Sequence, residues 1–456
     1  MWAQVIDDLP RARIAAMSES ATVEAPTPND VRDAVYSQPL ETLNAAQSEL
    51  FQADAMWPYF DRLRAEDPVH WTPASDFEAH WAITRYEDIL AVDTNHTVFS
   101  SEGGISLGPS EAMIAKLVAS GAQMTGGPFG GPTGGPTMFI AMDPPKHDEQ
   151  RKTVSPAVSP HNLKVMEPLI RERAGMILDS LPIGEPFDWV DRVSMELTAM
   201  TLATLFGMPQ EDRRKLTRWS DTVMSRPGDG IIDTWEEKRA EMSAYANYFL
   251  ELWRERKASP MDGDMVSMLA HGEATKDMNP FEYLGNIILL TIGGNDTTRN
   301  TISGSIYALN KYSEQYDKLR ANPDLIPSMV SETIRWQTPL AHMKRVATQD
   351  YELGGKTIKK GDNVVMWYVS GNRDDTVIDR PNDYIIDRPR PRQHLSFGFG
   401  IHRCVGNRLA ELQLKIIWEE ILKRFPNIQV LEEPQRVRST FVKGYKSMQV
   451  LIPHKL

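Results

Sequence analysis

An almost unbroken helical pattern between Asn162 and Asn310 constrains the fold of this chain more than any other feature. Apolar residues recur at helical spacing in VMEPLIRERAGMILDSL and MELTAMTLATLF, and again from Phe281 to Leu309. Short β-like runs lie outside this region, in HWAITR, VATQDYELGG, KTIKKGDNVVMWY and QVLIPH. The chain is therefore predicted to be mainly α with small β-sheets near either end. Because neither a tandem repeat nor a linker divides the middle, residues 51–456 are predicted to form one large domain.

Two segments are expected to be less regular. Residues 1–50 are polar and contain several prolines, so we expect a loosely ordered leader. Residues 103–136 are rich in glycine and proline and include TGGPFGGPTGGPT. This composition is typical of a flexible linker between domains. The helical pattern that resumes beyond it equally favours a mobile loop over a binding site.

Composition argues against several classes of function. The 62 acidic and 50 basic residues give a formal net charge of -12, which argues against general nucleic-acid binding. No apolar run reaches the roughly eighteen residues of a transmembrane segment, and the first residues do not resemble a secretory signal. A single cysteine cannot form an internal disulfide, which fits a reducing compartment. We therefore expect a cytoplasmic protein, and a monomer.

The only cysteine, Cys404, lies in FGFGIHRCVG, directly before the strongly helical NRLAELQLKIIWEEILKRF. Glycines at positions 398, 400 and 406 permit tight turns and a close approach of the backbone to a flat ligand. A position at a helix N-terminus favours the thiolate, because backbone N–H groups and the helix dipole stabilise negative charge. The pattern therefore makes Cys404 a candidate metal ligand.

Other roles for Cys404 remain open at this point. A lone cysteine often serves as a small buried apolar residue. A cysteine nucleophile also suits a helix N-terminus, and His402 is close enough in sequence to act as its base. A structural zinc site fits poorly, because the chain lacks the necessary Cys and His spacing.

The complete pattern F-G-x-G-x-H-x-C-x-G, from Phe397 to Gly406, resembles the haem-binding signature of cytochrome P450 monooxygenases. The likeness extends from about Ala53 to the C-terminus. It implies a single P450 fold, a triangular prism-like helical domain with a β-rich lobe, and a haem b whose iron is bound by the Cys404 thiolate. A thiolate ligand raises the electron density on the iron. The resemblance also implies that Phe397 shields the sulfur, and that Gly406 and His402 contact the haem.

A second motif, GGNDTT, spans residues 293–298 within the long apolar helix. Gly293 and Thr297 are four residues apart and share one helix face. Two glycines inside a helix cost roughly 1 kcal/mol each relative to alanine, so a flat cofactor lying against Gly293 is an expected compensation. The resemblance implies that Asp296 and Thr297 are catalytic and deliver the protons that dioxygen activation consumes. Taken alone, the motif is also explained by a helix kink.

A third motif is Glu332-Thr-Ile-Arg335. A glutamate and an arginine three residues apart on a helix often form a surface ion pair that contributes little to stability. The resemblance implies instead a buried structural network of Glu332, Arg335 and Arg388 that braces the haem loop. Removing one partner of such a network would leave a buried charge unpaired.

A fourth motif follows Asp143-Pro-Pro and places His147 and Arg151 one helical turn apart. In isolation this is a solvated helix start. The resemblance implies that both residues contact the haem propionates, together with Arg345 and His402. Cationic donors suit the two negative propionates.

The resemblance also implies a redox partner, because 456 residues leave no room for a fused reductase. Electrons are expected to come from NAD(P)H through a ferredoxin reductase and an acidic 2Fe-2S ferredoxin. Five basic residues lie near the cysteine in the sequence: Arg403, Arg408, Lys415, Lys423 and Arg424. They could form a basic docking face for the ferredoxin, or they could be ordinary solvated charges of the helix.

A narrower resemblance concerns the substrate. The stretches MFIAMDPPKH, GGNDTTRNTISG, RWQTPLAHMKR and MWYVSGNRD resemble the bacterial soluble alkane hydroxylases. This likeness implies hydroxylation of the terminal methyl of medium-chain n-alkanes, and also of fatty acids or primary alcohols. Because a terminal C–H bond is stronger than its neighbours, the pocket must be narrow enough near the iron that only a methyl end can approach. Candidates for this constriction are Leu340 and the helix face around Leu289 and Gly293. Apolar side chains that are candidates for lining the pocket are Met138, Phe139, Ile140, Leu289, Leu340 and Met343.

Other activities are compatible with the same motifs. A monooxygenase of another apolar substrate, such as a terpenoid, would share all of them. A peroxide-driven peroxygenase and a non-catalytic haem sensor are further alternatives, and the pair Asp296–Thr297 argues against both.

Overall fold

Helices dominate the part of the chain that this computed structural model describes, residues 28–122 and 137–456. Residues 1–27 and 123–136, and with them the second part of the glycine- and proline-rich stretch, lie outside the described residues. The described α-helices are α1 Pro28–Ser37, α2 Ser48–Gln52, α3 Trp57–Glu66, α4 Tyr86–Thr94, α5 Glu111–Ala119, α6 Lys146–Val154, α7 Pro160–Asp179, α8 Glu196–Leu205, α9 Arg213–Met224, α10 Trp235–Ala258, α11 Met265–His271, α12 Pro280–Lys311, α13 Ser313–Ala321, α14 Ile326–Gln337, α15 Tyr368–Gly371 and α16 Asn407–Arg424.

The described strands are short and form one five-stranded sheet and three smaller ones. In the large sheet the order is β1-β2-β8-β5-β3, with β2 and β8 parallel and the other pairs antiparallel. The strands are β1 Val69–Thr72, β2 His80–Ile83, β3 Phe99–Ser100, β4 Phe187–Asp188, β5 Met343–Ala347, β6 Tyr351–Leu353, β7 Lys356–Ile358, β8 Asn363–Met366, β9 Gln429–Val430, β10 Gln435–Arg436, β11 Tyr445–Ser447 and β12 Gln449–Leu451. The prediction of a mainly α chain with small β-sheets is confirmed.

The long helix α12 runs through the main core and is buried over most of its length. It begins where Asn279 accepts hydrogen bonds from the backbone N–H groups of Phe281 and Glu282, at 3.0 and 2.9 Å, with Pro280 in the first turn. A helix of this length without a polar face needs neighbours on every side. It packs against a π-helical turn at Val190–Met195 and against α8, α9 and α14.

A second apolar core lies under the large sheet, and a third joins that sheet to α3. The third core includes Val35, Leu43, Ala45 and Ala46, which are buried together with Phe60. Residues 28–50 therefore contain ordered, packed structure, whereas the sequence analysis assigned them to a loosely ordered leader. Apolar side chains spaced between the polar ones supply the contacts that composition alone did not reveal. Among the described helices, none combines the length and apolarity that a bilayer crossing requires.

We predict that Leu43→Ala destabilises the whole fold, because Leu43 is fully buried in the third core. Removing this side chain should lower the free energy of unfolding by about 2–4 kcal/mol. Urea unfolding of the purified protein measures this change, with Glu41→Ala in the same segment as the control. Equal stability of the two variants would mean that residues before position 51 do not belong to the domain.

Candidate active site

The loop before α16 holds Cys404 through backbone geometry that only glycine adopts readily. Gly398 and Gly400 have φ angles of 62° and 63°, in the left-handed region. The backbone N–H of Cys404 donates to the carbonyl of Phe397 at 2.8 Å, which closes the loop. Gly406 stands at the N-cap of α16, so Cys404 lies just before the helix N-terminus as predicted from sequence.

The buried carboxylate of Asp93, at the end of α4, anchors this loop. It accepts hydrogen bonds from the backbone N–H of Phe399 at 2.7 Å, from the Tyr368 hydroxyl at 2.9 Å and from Arg345 at 3.0 Å. A Cβ atom on Gly398 would lie 3.2 Å from both the Asp93 carboxylate and the Tyr368 hydroxyl, so the loop approaches its anchor closely. Burial raises the pKa of Asp93, and Arg345 opposes that shift. Asp93 was missed in the sequence analysis, because it stands in an ordinary helical pattern.

The electrostatics of Cys404 differ from the sequence prediction. Its side chain is accessible, yet the surrounding protein raises the pKa of the thiol by burial. The backbone N–H groups of Gly406 and Asn407 and the charge of Arg151 oppose this shift without outweighing it. The helix N-terminus alone therefore does not favour a thiolate here. A coordinated metal ion deprotonates a thiol, so a bound iron would supply the missing stabilisation.

Four basic residues singled out from sequence come together beside the loop. The imidazole rings of His147 and His402 lie 4.2 Å apart between centroids. Arg151 donates to the backbone carbonyl of Arg403, next to the cysteine. Arg345 is held by Asp93, and its charge contributes to lowering the pKa of His402.

The two histidines are neutral rather than the cationic donors that the sequence analysis described. Burial, together with repulsion from Arg345, His147 and Arg151, lowers the pKa of His402 to about 2. Burial also lowers the pKa of His147. Nε2 of His147 and Nδ1 of His402 are buried with no hydrogen-bond partner among the described residues. Buried ring nitrogens without partners are costly. In neutral His402 the Ser101 hydroxyl can donate to Nε2, so Nδ1–H is available to donate to a propionate. His147 donates from Nδ1 to Asp148 at 2.7 Å, so its Nε2 can donate to a propionate only when the ring takes up a second proton. A serine that the sequence analysis missed, Ser101, orients His402 by a 3.0 Å contact between Oγ and Nε2.

One face of α12 remains accessible inside the main core. Leu289, Gly293 and Thr297, spaced four residues apart, keep exposed surface while most of the helix is buried. A Cβ atom on Gly293 would meet no atom within 4 Å, so this glycine faces open space. The Thr297 hydroxyl donates to the carbonyl of Gly293 at 2.7 Å, which leaves its lone pairs free on the same face.

Asp296 points away from that face. Its carboxylate accepts hydrogen bonds from Ser220 at 2.9 Å and from Asn295 at 3.0 Å, and it lies 3.2 Å from Arg299. Burial raises the pKa of Asp296; Arg299 opposes the shift and Asp221 reinforces it. Among the described residues no hydrogen bond joins Asp296 to Thr297, so the structure does not bring the two predicted catalytic groups into contact. Ser220 and Asp221 were missed from sequence because they lie on α9, and Ser220 is 76 residues from Asp296 in the chain. Arg299 was also missed, although its spacing of three residues from Asp296 on the same helix is a signal that could have revealed it.

Glu332, Arg335 and Arg388 form a buried ion triad. The Glu332 carboxylate receives both Nε and Nη2 of Arg335 at 2.8 Å, and Nε of Arg388 at 3.1 Å. Arg335 is fully buried and donates further to the carbonyls of Asn372 and Pro381, at 2.9 and 2.7 Å. Every charge in the triad therefore has an opposite charge and additional hydrogen bonds, as burial requires.

Asn372, a residue that sequence reasoning missed, connects the triad to the cysteine loop. Its carbonyl accepts from Arg335, while its side-chain oxygen accepts from the N–H of Leu395 at 2.7 Å. Its amide nitrogen donates to the Ser396 hydroxyl at 2.9 Å. Leu395 and Ser396 directly precede Phe397, whose ring packs on the main core. The triad thus braces the beginning of the loop, opposite the anchor at Asp93.

The six candidate pocket residues separate into two groups. Met138 and Phe139 are completely buried in the main core, so the structure places them as core residues. Four others keep part of their surface accessible while packing on the same core as Phe397 and Val405: Ile140, Leu289, Leu340 and Met343.

Taken together, these residues fit a haem. They provide an accessible thiol, open space at Gly293 and Gly406, partnerless buried nitrogens on two histidines and a cluster of arginines suited to propionates. No cluster of three metal-binding side chains exists in the described ranges, so the iron would rely on Cys404 as its protein ligand. Fold and site define the class of haem-thiolate proteins.

Comparison with known proteins agrees with this class. The cytochrome P450 family model matches residues 127–452. Linalool 8-monooxygenase of Pseudomonas putida is 34% identical over 91% of this chain and 100% of its own length. A methyl-branched lipid omega-hydroxylase of Mycobacterium bovis is 29% identical over 86% of this chain and 90% of its own. The solved structure of CYP153D17 from Sphingomonas sp. PAMC 26605 is 43% identical, has a TM-score of 0.80 and covers 90% of this chain and 98% of that one. The chain belongs to the cytochrome P450 family of haem-thiolate monooxygenases.

We predict that Glu332→Gln lowers the free energy of unfolding by about 3–5 kcal/mol, because two buried arginines lose their shared counter-charge. Haem content per chain should fall as well, since the triad braces the cysteine loop. Denaturant unfolding and the haem-to-protein absorbance ratio measure the two effects.

The control for this prediction is Glu241→Gln, which removes a partly exposed ion pair with Arg218. Such a pair is worth about 1 kcal/mol or less, so this variant should retain stability and haem. Similar losses in both variants would show that the triad has no special role.

Proposed function

We propose that this cytochrome P450 hydroxylates the terminal methyl of medium-chain n-alkanes, and of related fatty acids or primary alcohols. Electrons come from NAD(P)H through a ferredoxin reductase and a 2Fe-2S ferredoxin. The observation that carries the proposal is the accessible face of α12, where Leu289, Gly293 and Thr297 keep accessible surface at a spacing of four residues. Leu340 and Met343 add apolar surface on the same core.

The chemistry of the lining supports an apolar substrate without polar anchors. When bound, the haem activates dioxygen for insertion into a C–H bond. Leu289, Leu340 and Met343 offer no hydrogen-bonding group, so they exclude water and select by shape. Because a terminal C–H bond is intrinsically the stronger one, selection of the chain end requires a narrow approach. Leu340, held by its backbone bridge to Val442, is suited to form that constriction.

Two relatives give further support. One is named for attack at carbon 8 of linalool and the other for attack at the ω position of methyl-branched lipids. Both names denote oxidation near the end of an apolar chain. The linalool name also favours a second candidate function, hydroxylation of an acyclic terpenoid at its chain end.

A ferredoxin partner is supported by a small basic area beside Cys404. Arg403 and Arg408 are exposed and have no carboxylate partner within the described residues. This area is smaller than the docking face suggested by sequence, because three of its members form ion pairs with carboxylates of their own helix: Lys415, Lys423 and Arg424. Two free arginines still suit the acidic surface of a ferredoxin.

The experiment combines the holoenzyme with NADH, a ferredoxin reductase, a 2Fe-2S ferredoxin and octane or linalool, with products separated by gas chromatography. We predict 1-octanol as the main product of octane. Leu340→Ala should widen the approach and shift product towards 2-octanol, since chain-end selection then weakens. Cys404→Ser, which lacks the thiolate, is the inactive control.

Three results would contradict the proposal. If the unmodified enzyme formed mainly internal alcohols from octane, the proposed selectivity for the terminal methyl would be wrong. Turnover of linalool with none of octane would establish the terpenoid function instead. Equal turnover with hydrogen peroxide alone would make the ferredoxin unnecessary.

We predict that Thr297→Ala binds octane as tightly as the unmodified enzyme but releases hydrogen peroxide in place of alcohol. Thr297 is the hydroxyl on the accessible face, and its loss should lower alcohol formed per NADH by about tenfold or more. Spin-state titration measures binding, and peroxide and alcohol assays measure coupling. Thr298→Ala, on the buried side of the same helix, is the control and should remain coupled. Tight coupling in Thr297→Ala would remove this residue from the proton path.

A further inference from the structure

A cleft of about 190 Å³ lies apart from the candidate active site. It opens where the C-terminal end of α12 meets the end of α14, the start of α3 and the strand pair β10–β11. Neither the cysteine loop nor the accessible face of α12 contributes to its walls. No step of the proposed reaction uses it.

The walls carry more positive than negative charge, although the whole chain is acidic. Four basic side chains face two carboxylates, Asp54 and Asp61. Asp61 pairs with Arg64. Asp54 accepts a hydrogen bond from Nε1 of Trp57 at 3.1 Å and lies 3.6 Å from Arg436, which pairs more closely with Glu433 at 2.5 Å, outside the walls. Three basic side chains of the cleft therefore have no carboxylate partner in the described part of the chain: Lys311, Arg373 and Lys443.

Aromatic rings take the place of counter-ions for these cations. The Arg373 guanidinium lies 4.7 Å from the ring centroid of Trp57, and the Lys443 ammonium lies 5.7 Å from that of Trp336. Such contacts stabilise a desolvated cation without a counter-charge. Arg373 donates its N–H groups to the carbonyls of Pro381, Asn382 and Trp336. The Lys443 ammonium has three donors, of which one reaches an acceptor, the carbonyl of Gln337 at 3.2 Å.

A further donor of the cleft has no partner. Nε1 of Trp336 is buried and makes no hydrogen bond among the described residues, while the residue as a whole is 6% exposed. A buried N–H without an acceptor costs about 1–3 kcal/mol. The cleft thus combines cations that have no ion-pair partner with an unsatisfied neutral donor.

The titration of Lys443 agrees with this crowding of charge. Burial lowers its pKa to about 8; Asp54 opposes the shift, and repulsion from Arg373, Arg436 and Lys311 adds to it. A negative charge between these groups would raise the pKa again.

We propose that this cleft is a binding site for a small oxyanion, which accepts hydrogen bonds from Lys443, Lys311 and the indole N–H of Trp336. Its volume corresponds to about six water molecules at roughly 30 Å³ each. Inorganic phosphate or a short dicarboxylate fits this space, whereas a nucleotide does not.

The site adjoins the triad that braces the cysteine loop. Arg373 and Arg335 donate to the same carbonyl, that of Pro381, at 3.2 and 2.7 Å. Arg373 also donates to the carbonyl of Trp336 at 3.1 Å. An anion in the cleft therefore stabilises the segment on which the triad depends, and it should raise the thermal unfolding midpoint.

The test is calorimetric titration of the holoenzyme with phosphate, succinate and sodium chloride at equal ionic strength and pH 8, in two buffers of different ionisation enthalpy. We expect saturable phosphate binding with a dissociation constant on the order of 1 mM or lower. Binding should take up about half a proton, because Lys443 is partly deprotonated at this pH and the anion raises its pKa. Saturable binding of succinate in place of phosphate supports the same site and identifies a carboxylate as its ligand.

Variants locate the binding. Lys311→Met removes an exposed ammonium, and Trp336→Phe removes the indole N–H together with part of the buried ring. Both should weaken binding by about tenfold, and thermal unfolding of each variant checks that it is folded. Lys443→Met should abolish it. Lys257→Met is the matched control, because that ammonium stacks on Trp253 at 3.9 Å outside the cleft, and binding should be unchanged. Heats no different from those of chloride, or full affinity in both Lys311→Met and Trp336→Phe, would overturn the proposal.

Discussion

The rest of the site depends on one buried carboxylate shared by two arginines. Glu332 lies wholly out of water, and its burial is tolerable only because Arg335 and Arg388 both reach it. Since the arginines also saturate the carbonyls of Asn372 and Pro381, the triad fixes the chain between α15 and the cysteine loop. The need to pair the buried charge of Glu332, at a distance from Cys404, thus helps to position the cysteine loop and its sulfur.

The cysteine loop is held from two sides by different chemistry. The triad acts through Asn372 on the residues before Phe397, while Asp93 acts directly on Phe399 and on the close approach at Gly398. Asp93 also fixes Arg345, so a single carboxylate couples the position of the loop to that of a candidate propionate contact. With the loop constrained in this way, burial raises the pKa of the Cys404 thiol. The protein surroundings of Cys404 therefore stabilise a thiolate only when a metal cation is bound to its sulfur.

Sequence revealed those parts of the site that repeat a local pattern. The glycines at 398 and 400, the spacing of Gly293 and Thr297, and the pair Glu332–Arg335 are all readable within one turn of chain, and their elements were predicted correctly. Asp93 was not predictable, because its partners come from segments more than 250 residues away and its own surroundings look ordinary. Asn372 was missed although its partners Leu395 and Arg335 lie only 23 and 37 residues away, because the contacts form only when the chain folds back on itself. The neutral state of His402 was missed for a related reason: it arises from burial and from neighbouring charges, which no single stretch contains.

The orientation of Asp296 bears on how the two polar groups of α12 can act. The Thr297 hydroxyl donates its proton to Gly293, so on the accessible face it offers lone pairs and accepts a hydrogen bond. Burial raises the pKa of Asp296 and Arg299 opposes that shift, while the contacts of its carboxylate with Ser220 and Arg299 hold it away from the accessible face. In the proposed reaction the two residues therefore have distinct tasks, Thr297 orienting a proton-bearing group and Asp296 exchanging protons with the interior. A rotation of Asp296 towards the accessible face would have to break its contact with Ser220 and loosen the pair with Arg299. In the proposed reaction, proton delivery through Asp296 therefore requires this buried pair to loosen.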